Sequence, residues 1–298
     1  MVDRHLKIEL NAVIAAIVDG EPHIRIDPDT ALPSGPFETG HRTLEQGLRA
    51  WAKAKGSPPL GYVEQLYTFA DRDRAAGQQR FVSIGYLALV RAGAAKEALW
   101  SPWYRHFPWE DHRKGMLPLI VKTILPLLNQ WKAAAPDAAV KQARARRIAI
   151  AFPKDPRRWN EELVLQRYEL LWEAGLVAEA GGKARKNPAL GLPMAHDHRR
   201  ILATAMARLR AKIKYRPVVF ELMPDSFTLL QLQNTVEALA GLPLHKQNFR
   251  RLMEGQGLVE ETGAMTSGAS GRPAKLFAFR REVLLERAAA GTKLPRAS

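Results

Sequence analysis

The run Gly35-Pro36-Phe37-Glu38-Thr39-Gly40-His41-Arg42-Thr43-Leu44-Glu45-Gln46-Gly47-Leu48-Arg49-Ala50-Trp51-Ala52-Lys53-Ala54-Lys55-Gly56 divides into a loop and a helix. Pro28 to Gly40 is rich in Pro, Gly and small polar residues, the composition of a loop. From Thr43 to Lys55, Leu44, Leu48 and Trp51 recur at helical spacing. Upstream, residues 6 to 26 read as two strands joined at Asp19-Gly20. Ile8, Leu10, Ala12 and Ile14 alternate before that hairpin signal and His23 to Ile26 alternate after it. Downstream, Gly61 to Phe69 and Phe81 to Arg91 alternate again, separated by the charged turn Asp71-Arg72-Asp73-Arg74. The order is strand, strand, loop, helix, strand, strand.

Within that order, residues 35 to 57 keep the spacing G-x5-E-x7-R-E-U-x-E-E-x-G-U and so resemble a Nudix box. Gly35, Arg49, Trp51 and Gly56 stand where the pattern has Gly, Arg, an apolar residue and Gly. His41, Ala50, Lys53 and Ala54 occupy the four Glu positions, and Ser57 the last apolar one. Nudix hydrolases use magnesium or manganese, hard ions that need carboxylate oxygens. The resemblance therefore implies a nucleotide-binding fold with no catalytic residues and no metal site. With no metal, arginines have to neutralise a diphosphate, and Arg25, Arg42, Arg49 and Arg80 are the candidates, beside the loop at Gly35 and Phe37. Phe37, Tyr67 or Phe69 could stack on an adenine. The plainer roles are that Arg49 only holds the box loop and that the strand aromatics are core.

The 298 residues suffice for one large or two ordinary domains, and 46% hydrophobic residues with seven Trp and ten Phe can fill real cores. Without cysteine there is no disulfide, thiolate zinc site or Cys nucleophile. The apolar run from Ala12 to Val18, bracketed by Glu9 and Asp19, is too short for a signal peptide or membrane span, so a cytoplasmic location is expected. The net charge of +15 and pI near 10.2 suit a polyanionic partner.

From Glu97 to Ala180 the pattern turns helical. Leu117, Ile120, Val121, Ile124, Leu127 and Leu128 form one stripe with a kink expected at Pro126, and Leu163, Leu165, Tyr168, Leu171 and Trp172 form another, closed by Gly175. Between them lie Lys141, Arg144, Arg146, Arg147, Lys154, Arg157 and Arg158, a basic run that reads as a solvated face or a phosphate contact. Gly181 to Pro193 is loop-like. Asp197 to Lys214 is a long helix with Ile201, Leu202, Ala205, Met206 and Leu209 facing a core and Arg199, Arg200, Arg208, Arg210, Lys212 and Lys214 making the remainder positive.

After Pro217 the pattern is that of a winged helix. Pro224 to Phe227 caps a helix from Thr228 to Ala240, Gly241-Leu242-Pro243 is a tight turn, and a second helix starts near Leu244 and stops at Gly255 or Gly257. Phe249, Leu252 and Met253 are expected in the module's core, leaving His245, Lys246, Gln247, Asn248, Arg250 and Arg251 to face DNA. Strands at Leu258 to Thr262 and Lys275 to Arg280, with Gly271-Arg272-Pro273 between, form a wing that carries Arg272 and Lys275 toward a groove or phosphate.

Arg200-Ile201-Leu202, Arg208-Leu209-Arg210, Phe220-Glu221-Leu222-Met223-Pro224, Phe227-Thr228-Leu229, Asn248-Phe249-Arg250-Arg251 and Gly271-Arg272-Pro273-Ala274-Lys275-Leu276 together resemble the linker helix and DNA-binding domain of Nudix-related transcriptional regulators of NAD metabolism, the NrtR type. Gly61-Tyr62-Val63-Glu64-Gln65-Leu66-Tyr67-Thr68-Phe69 and Arg167-Tyr168-Glu169-Leu170-Leu171 are more similar to the alphaproteobacterial NadQ type. The implied fold class is α+β: a Nudix-like α/β/α sandwich over residues 1–215, with a helical insertion at about 97–195 and a linker helix at 197–214, then a winged helix-turn-helix at 217–287 and a tail at 288–298. The implied function is a homodimeric repressor of NAD biosynthesis genes that binds a palindromic operator on double-stranded DNA. Its effector would be an adenine nucleotide such as NAD, ADP-ribose or ATP, with no other cofactor required and no membrane partner. One rival is a divergent Nudix hydrolase using Glu38, Glu45 or Glu64. Another is a protein coating RNA or the chromosome without sequence choice.

Overall fold

The computed structural model describes residues 6–69, 80–91, 99–181, 188–266 and 273–283. The charged turn expected at residues 71–74 lies outside them. β1 (Leu6–Val18) and β2 (Glu21–Arg25) pair antiparallel through Asp19-Gly20, both at positive φ as a type I′ hairpin turn requires. β4 (Val63–Phe69) and β5 (Arg80–Leu89) supply the expected later strands, and β5 runs parallel to β1 over ten residue pairs, Leu6↔Arg80 to Ala15↔Leu89. Two short strands escaped the pattern: β3 (Ser34–Pro36), inside the expected loop, and β6 (Trp100–Pro102), inside the expected helical region. Three residues are too few to display alternation. The sheet order is β4-β5-β1-β2-β6, with β3 adding to β1.

Central strand β1 is buried on both faces. Leu10, Ala12, Ile14 and Ala16 join Leu48, Trp51 and Ala52 of α1 (Leu44–Ala54) on one side, while Val13 and Ala15 join Ile201, Leu202 and Ala205 of α6 (His198–Lys212) on the other. The result is the expected α/β/α sandwich. Thr43 caps α1 by accepting from the Gln46 N–H.

The stretch expected as a helical insertion holds α2 (Trp103–His106), α3 (Leu125–Ala133), α4 (Ala138–Ala151) and α5 (Val164–Glu173). A π-helical turn at Ile120–Ile124 runs directly into α3, so the irregularity expected at Pro126 precedes that proline. Val121 and Trp172, expected in apolar stripes, are half exposed. Gly175 ends α5 with φ +67, as expected. Arg199 and Arg210, expected on the charged face of α6, are fully buried instead. The winged helix has α7 (Leu229–Ala240), α8 (Lys246–Gly255), β7 (Val259–Met265) and β8 (Lys275–Phe279), and its Phe227, Leu232, Phe249 and Met253 belong to the same continuous core as the insertion and α6.

Buried His106 ties α2 to the strand before it and to the loop before α6. Its Nδ1–H donates to the Leu192 carbonyl at 3.1 Å, and its Nε2 accepts from the Ser101 hydroxyl at 3.0 Å, which fixes the neutral tautomer. Burial pushes its pKa down to about 4, against the backbone bond and with help from Arg199 and Arg105. A depressed folded pKa contributes stability that is complete above the unfolded value, near 6.5, and is lost as pH falls toward 4. Chemical denaturation across that window should show a loss of roughly 2–3 kcal/mol in wild type that His106→Gln flattens.

Candidate nucleic-acid interface

Thr228 opens α7 with a full capping box: its hydroxyl accepts from the Gln231 N–H at 3.1 Å and the Gln231 side chain accepts from the Thr228 N–H at 2.7 Å. Gly241 closes α7 in the left-handed conformation, φ +70. α8 follows after a five-residue turn, 241–245, and a bridge from Phe227 to Phe277 adds a third short segment to the β7–β8 wing. On α8, Phe249 and Met253 face the core as expected, and His245, Lys246, Gln247, Asn248, Arg250 and Arg251 are exposed. Leu252, expected in the core, is 51% exposed and lines a cavity on the flank of the helix. Lys275 is exposed on β8, where it pairs with Glu261 across the wing at 2.8 Å; Arg272 lies outside the described residues.

The helix-turn-helix is fastened at a point the sequence reading missed. The last carbonyls of a helix have no partner within it. Here Tyr104 Oη donates to the Ala238 carbonyl at 2.6 Å, Arg210 Nε to Leu239 at 2.9 Å, and the His112 N–H to Gly241 at 2.7 Å. All three donors belong to the insertion or to α6. A Cβ on Gly241 would lie 2.2 Å from the Glu110 carbonyl oxygen and 2.8 Å from Arg210 Nη2, so the turn requires glycine for contact as well as for conformation.

Behind the clamp lies a buried ion triad. Glu110 receives Arg167 Nε at 2.5 Å and Nη2 at 2.9 Å, and Arg210 Nη1 at 2.6 Å; all three residues are fully buried. Burial pushes the Glu110 carboxyl up, but the two guanidiniums outweigh it and hold the group below the ordinary carboxylate range. The surplus positive charge is met by the carbonyls of Asn160, Glu161, Leu239 and Glu110 itself. Arg167 also stacks 3.9 Å from the Trp159 ring, which His112 meets with ring centroids 3.9 Å apart.

In the Nudix-like box, Gly35 lies against Trp51, where a Cβ would come within 2.6 Å of the indole. Arg49 donates to the Leu60 carbonyl at 2.5 Å and that of Gly61 at 3.2 Å, and pairs with Glu45 at 2.9 Å, so it holds the loop that leads into β4. Arg25 bonds the Ser57 hydroxyl and, at 2.6 Å, the Lys55 carbonyl, tying β2 to the end of α1. Phe37 is half-buried beside His41, their rings 6.0 Å apart, and Arg42 is exposed next to them. Tyr67 and Phe69 are elsewhere. Simple alternation would put Phe69 on the face of Val63, against α1; a bulge between Gln65 and Thr68 reverses the parity, so Phe69 packs in the core under α6 and Tyr67, 53% exposed, lies 5.9 Å below Arg208 of α6. The Arg80 side chain lies outside the described residues.

Residues 219–279 match the family model described as the NrtR DNA-binding winged helix domain. The C-terminal unit is an NrtR-type winged helix. The ADPR-responsive transcriptional repressor NtrR of Acinetobacter baylyi is 36% identical over 129 residues, 42% of this chain and 51% of the relative. The chain thus spans about half the length of the curated relative it matches. Shewanella oneidensis NrtR complexed with a 27-mer DNA superposes with a TM-score of 0.56 at 20% identity, covering 92% of this chain and 93% of that one. A MutT/Nudix family protein from Enterococcus faecalis superposes at 0.52 and 16% identity, covering 93% and 89%. The resemblance read from the sequence holds: a Nudix-type sandwich carries an NrtR-type winged helix.

Removing the triad's anion leaves two guanidiniums buried without a counter-charge, at a cost of about 3–5 kcal/mol. Glu110→Ala should therefore lower the unfolding midpoint of the whole chain in urea, and an unchanged midpoint would contradict the burial described.

Proposed function

We propose that this chain is a transcriptional repressor that reads DNA through α8 and the wing and senses an adenine nucleotide, ADP-ribose first among NAD, ADP-ribose and ATP, through its Nudix-like domain. The observation that carries the proposal is the NrtR-type winged helix, whose exposed Lys246, Gln247, Arg250 and Arg251 offer donors for base edges and phosphates while its helix turn is bonded to the sensor side. The ADP-ribose choice follows the description of the Acinetobacter relative as ADPR-responsive. A homodimer fits, because two-fold symmetry matches inverted half-sites on a palindromic operator. NAD biosynthesis genes are the proposed targets, and the cytoplasm the proposed location. Within the described residues no helix is long and apolar enough to cross a membrane.

The box carries Lys53 and Ala54 where a hydrolase holds its ion, and two of the three nearby carboxylates, Glu45 and Glu64, are otherwise committed. Glu45 pairs with Arg49 on the α1 side, whereas Glu64 pairs with Lys212 at 2.7 Å and Arg208 at 3.4 Å under α6. Two carboxylates on opposite faces of a sheet cannot share an ion, which favours a sensor that releases its nucleotide unchanged over a hydrolase. The Phe37–Arg42 end of the box suits the diphosphate better, since Arg25 and Arg49 are spent on backbone carbonyls.

The decisive experiment is selection of duplexes from a random pool, followed by competition gel shifts with and without ADP-ribose. A preference of about 10³ or more for a selected palindrome, altered by ADP-ribose, is expected. Equal affinity for all duplexes would replace a repressor with a coating protein, and turnover of ADP-ribose with magnesium at an enzymatic rate would restore the hydrolase. Arg250→Ala should cost about 1–3 kcal/mol on the selected duplex with nucleotide binding intact. In a nucleotide titration Arg42→Ala should weaken ADP-ribose binding, whereas Arg49→Ala should act on thermal stability, by about 1 kcal/mol.

A further inference from the structure

α8 is flanked by a cavity of about 460 Å³ whose near wall includes His245, Asn248 and Leu252 and whose far wall includes Glu161 from the insertion and Lys214, Tyr215 and Arg216 from the end of α6. Phe249 and Met253 anchor one side of α8; Asn248 and Leu252 therefore lie at the edge of its DNA-facing arc. That far wall lies outside the winged helix, and the chain that supplies it is basic on both sides of the cavity. Glu161 is preceded by Lys154, Arg157 and Arg158, which lie between α4 and α5, with Arg157 and Arg158 on a 3-10 turn.

These cations are not solvated at random. Arg157, 90% exposed, is held by Asp155 at 3.1 Å, and Lys214 takes both Glu161 and Glu162 at 2.6 Å. The local carboxylates are thereby neutralised within these stretches, where five cations face three anions. Among the described residues, exposed Arg158 and Arg216 form no ion pair; Arg158 feels the field of Asp155, whose carboxylate Arg157 already holds. Elsewhere in the insertion the basic run is used internally: Arg144 stacks on Trp131 at 4.1 Å and Arg147 pairs with Glu173 at 2.5 Å.

We propose that Arg158 of the helical insertion and Arg216 of the linker form a second DNA contact, a phosphate clamp on the backbone that borders the groove occupied by α8. The inference rests on the DNA-binding reading above and adds to it: the insertion and linker touch DNA, not the winged helix alone. A phosphate contact positions without reading sequence. It releases condensed counterions, so each contributes about 0.9 to the slope of log K against log salt, equivalent to about five-fold in affinity at 0.15 M.

The test measures that slope for the full chain on a duplex it selects and on a scrambled duplex of equal length. Arg158→Ala and Arg216→Ala should each flatten the slope by about 0.9, weaken both duplexes by about five-fold, and leave the ratio between them unchanged. The double variant should show the sum, and Arg158→Lys with Arg216→Lys should restore most of it. Slopes equal to wild type, or losses confined to the selected duplex, would overturn the clamp. Because the slope is defined on either duplex, a wild type that selects no sequence would sink the repressor reading while leaving this measurement decisive for the clamp.

Discussion

A single buried carboxylate organises the junction of this protein. Glu110 can exist as an anion in a dry interior only because Arg167 and Arg210 approach it from two different helices. Those helices belong to the insertion and to the linker, and the guanidinium of Arg210 extends further, to the carbonyl of Leu239 in the winged helix. Three separately coded pieces of chain are thus held in register by one charge balance. A nucleotide that shifted α6 against the sheet would have to carry Arg210 with it, and Arg210 in turn holds the turn before the reading helix. Coupling of this kind needs only that the ligand prefer one arrangement of the junction.

The degenerate box shows how packing and chemistry part company. Its spacing persists through contacts that do not involve a metal: Gly35 under the Trp51 indole, Gly47 against His41 and Phe37, and Arg49 on the carbonyls ahead of β4. Each depends on the loop-and-helix geometry and none on a carboxylate at the ion positions. A cationic Lys53 and a small Ala54 therefore cost the fold little, and the same scaffold can present a different charge to a diphosphate.

Much of this was visible in the residues. The Asp19-Gly20 hairpin, the helix at Thr43, the turn at Gly241 and the Phe249/Met253 face of α8 all follow from local rules that the surroundings did not override, whereas the cap of α7 falls on Thr228 and not on the expected Pro224 to Phe227. What eluded the sequence was decided at long range. Arg199 and Arg210 look solvated on a helical wheel, because period and polarity cannot show that Glu179 and Glu110 await them. Phe69 was displaced by a one-residue bulge, which alternation cannot register. Leu252 looks like core by its period, yet the cavity beside α8 leaves that flank open. At the site, the exposed cations of α8 were legible and the clamp on Ala238, Leu239 and Gly241 was not, since its acceptors are backbone carbonyls that every residue possesses.

The Gly241 turn bears on how far this DNA-binding module is portable. Winged helices are commonly regarded as units that can be exchanged between sensors. This one ends its first helix on carbonyls whose donors reside in Tyr104, His112 and Arg210, and its glycine is tailored to the Glu110 backbone. Grafted onto another sensor, it would arrive with its helix end uncapped and part of its core uncovered. The helical region and the winged helix are in that sense a single part: a change on either side of the Gly241 turn has to be matched on the other.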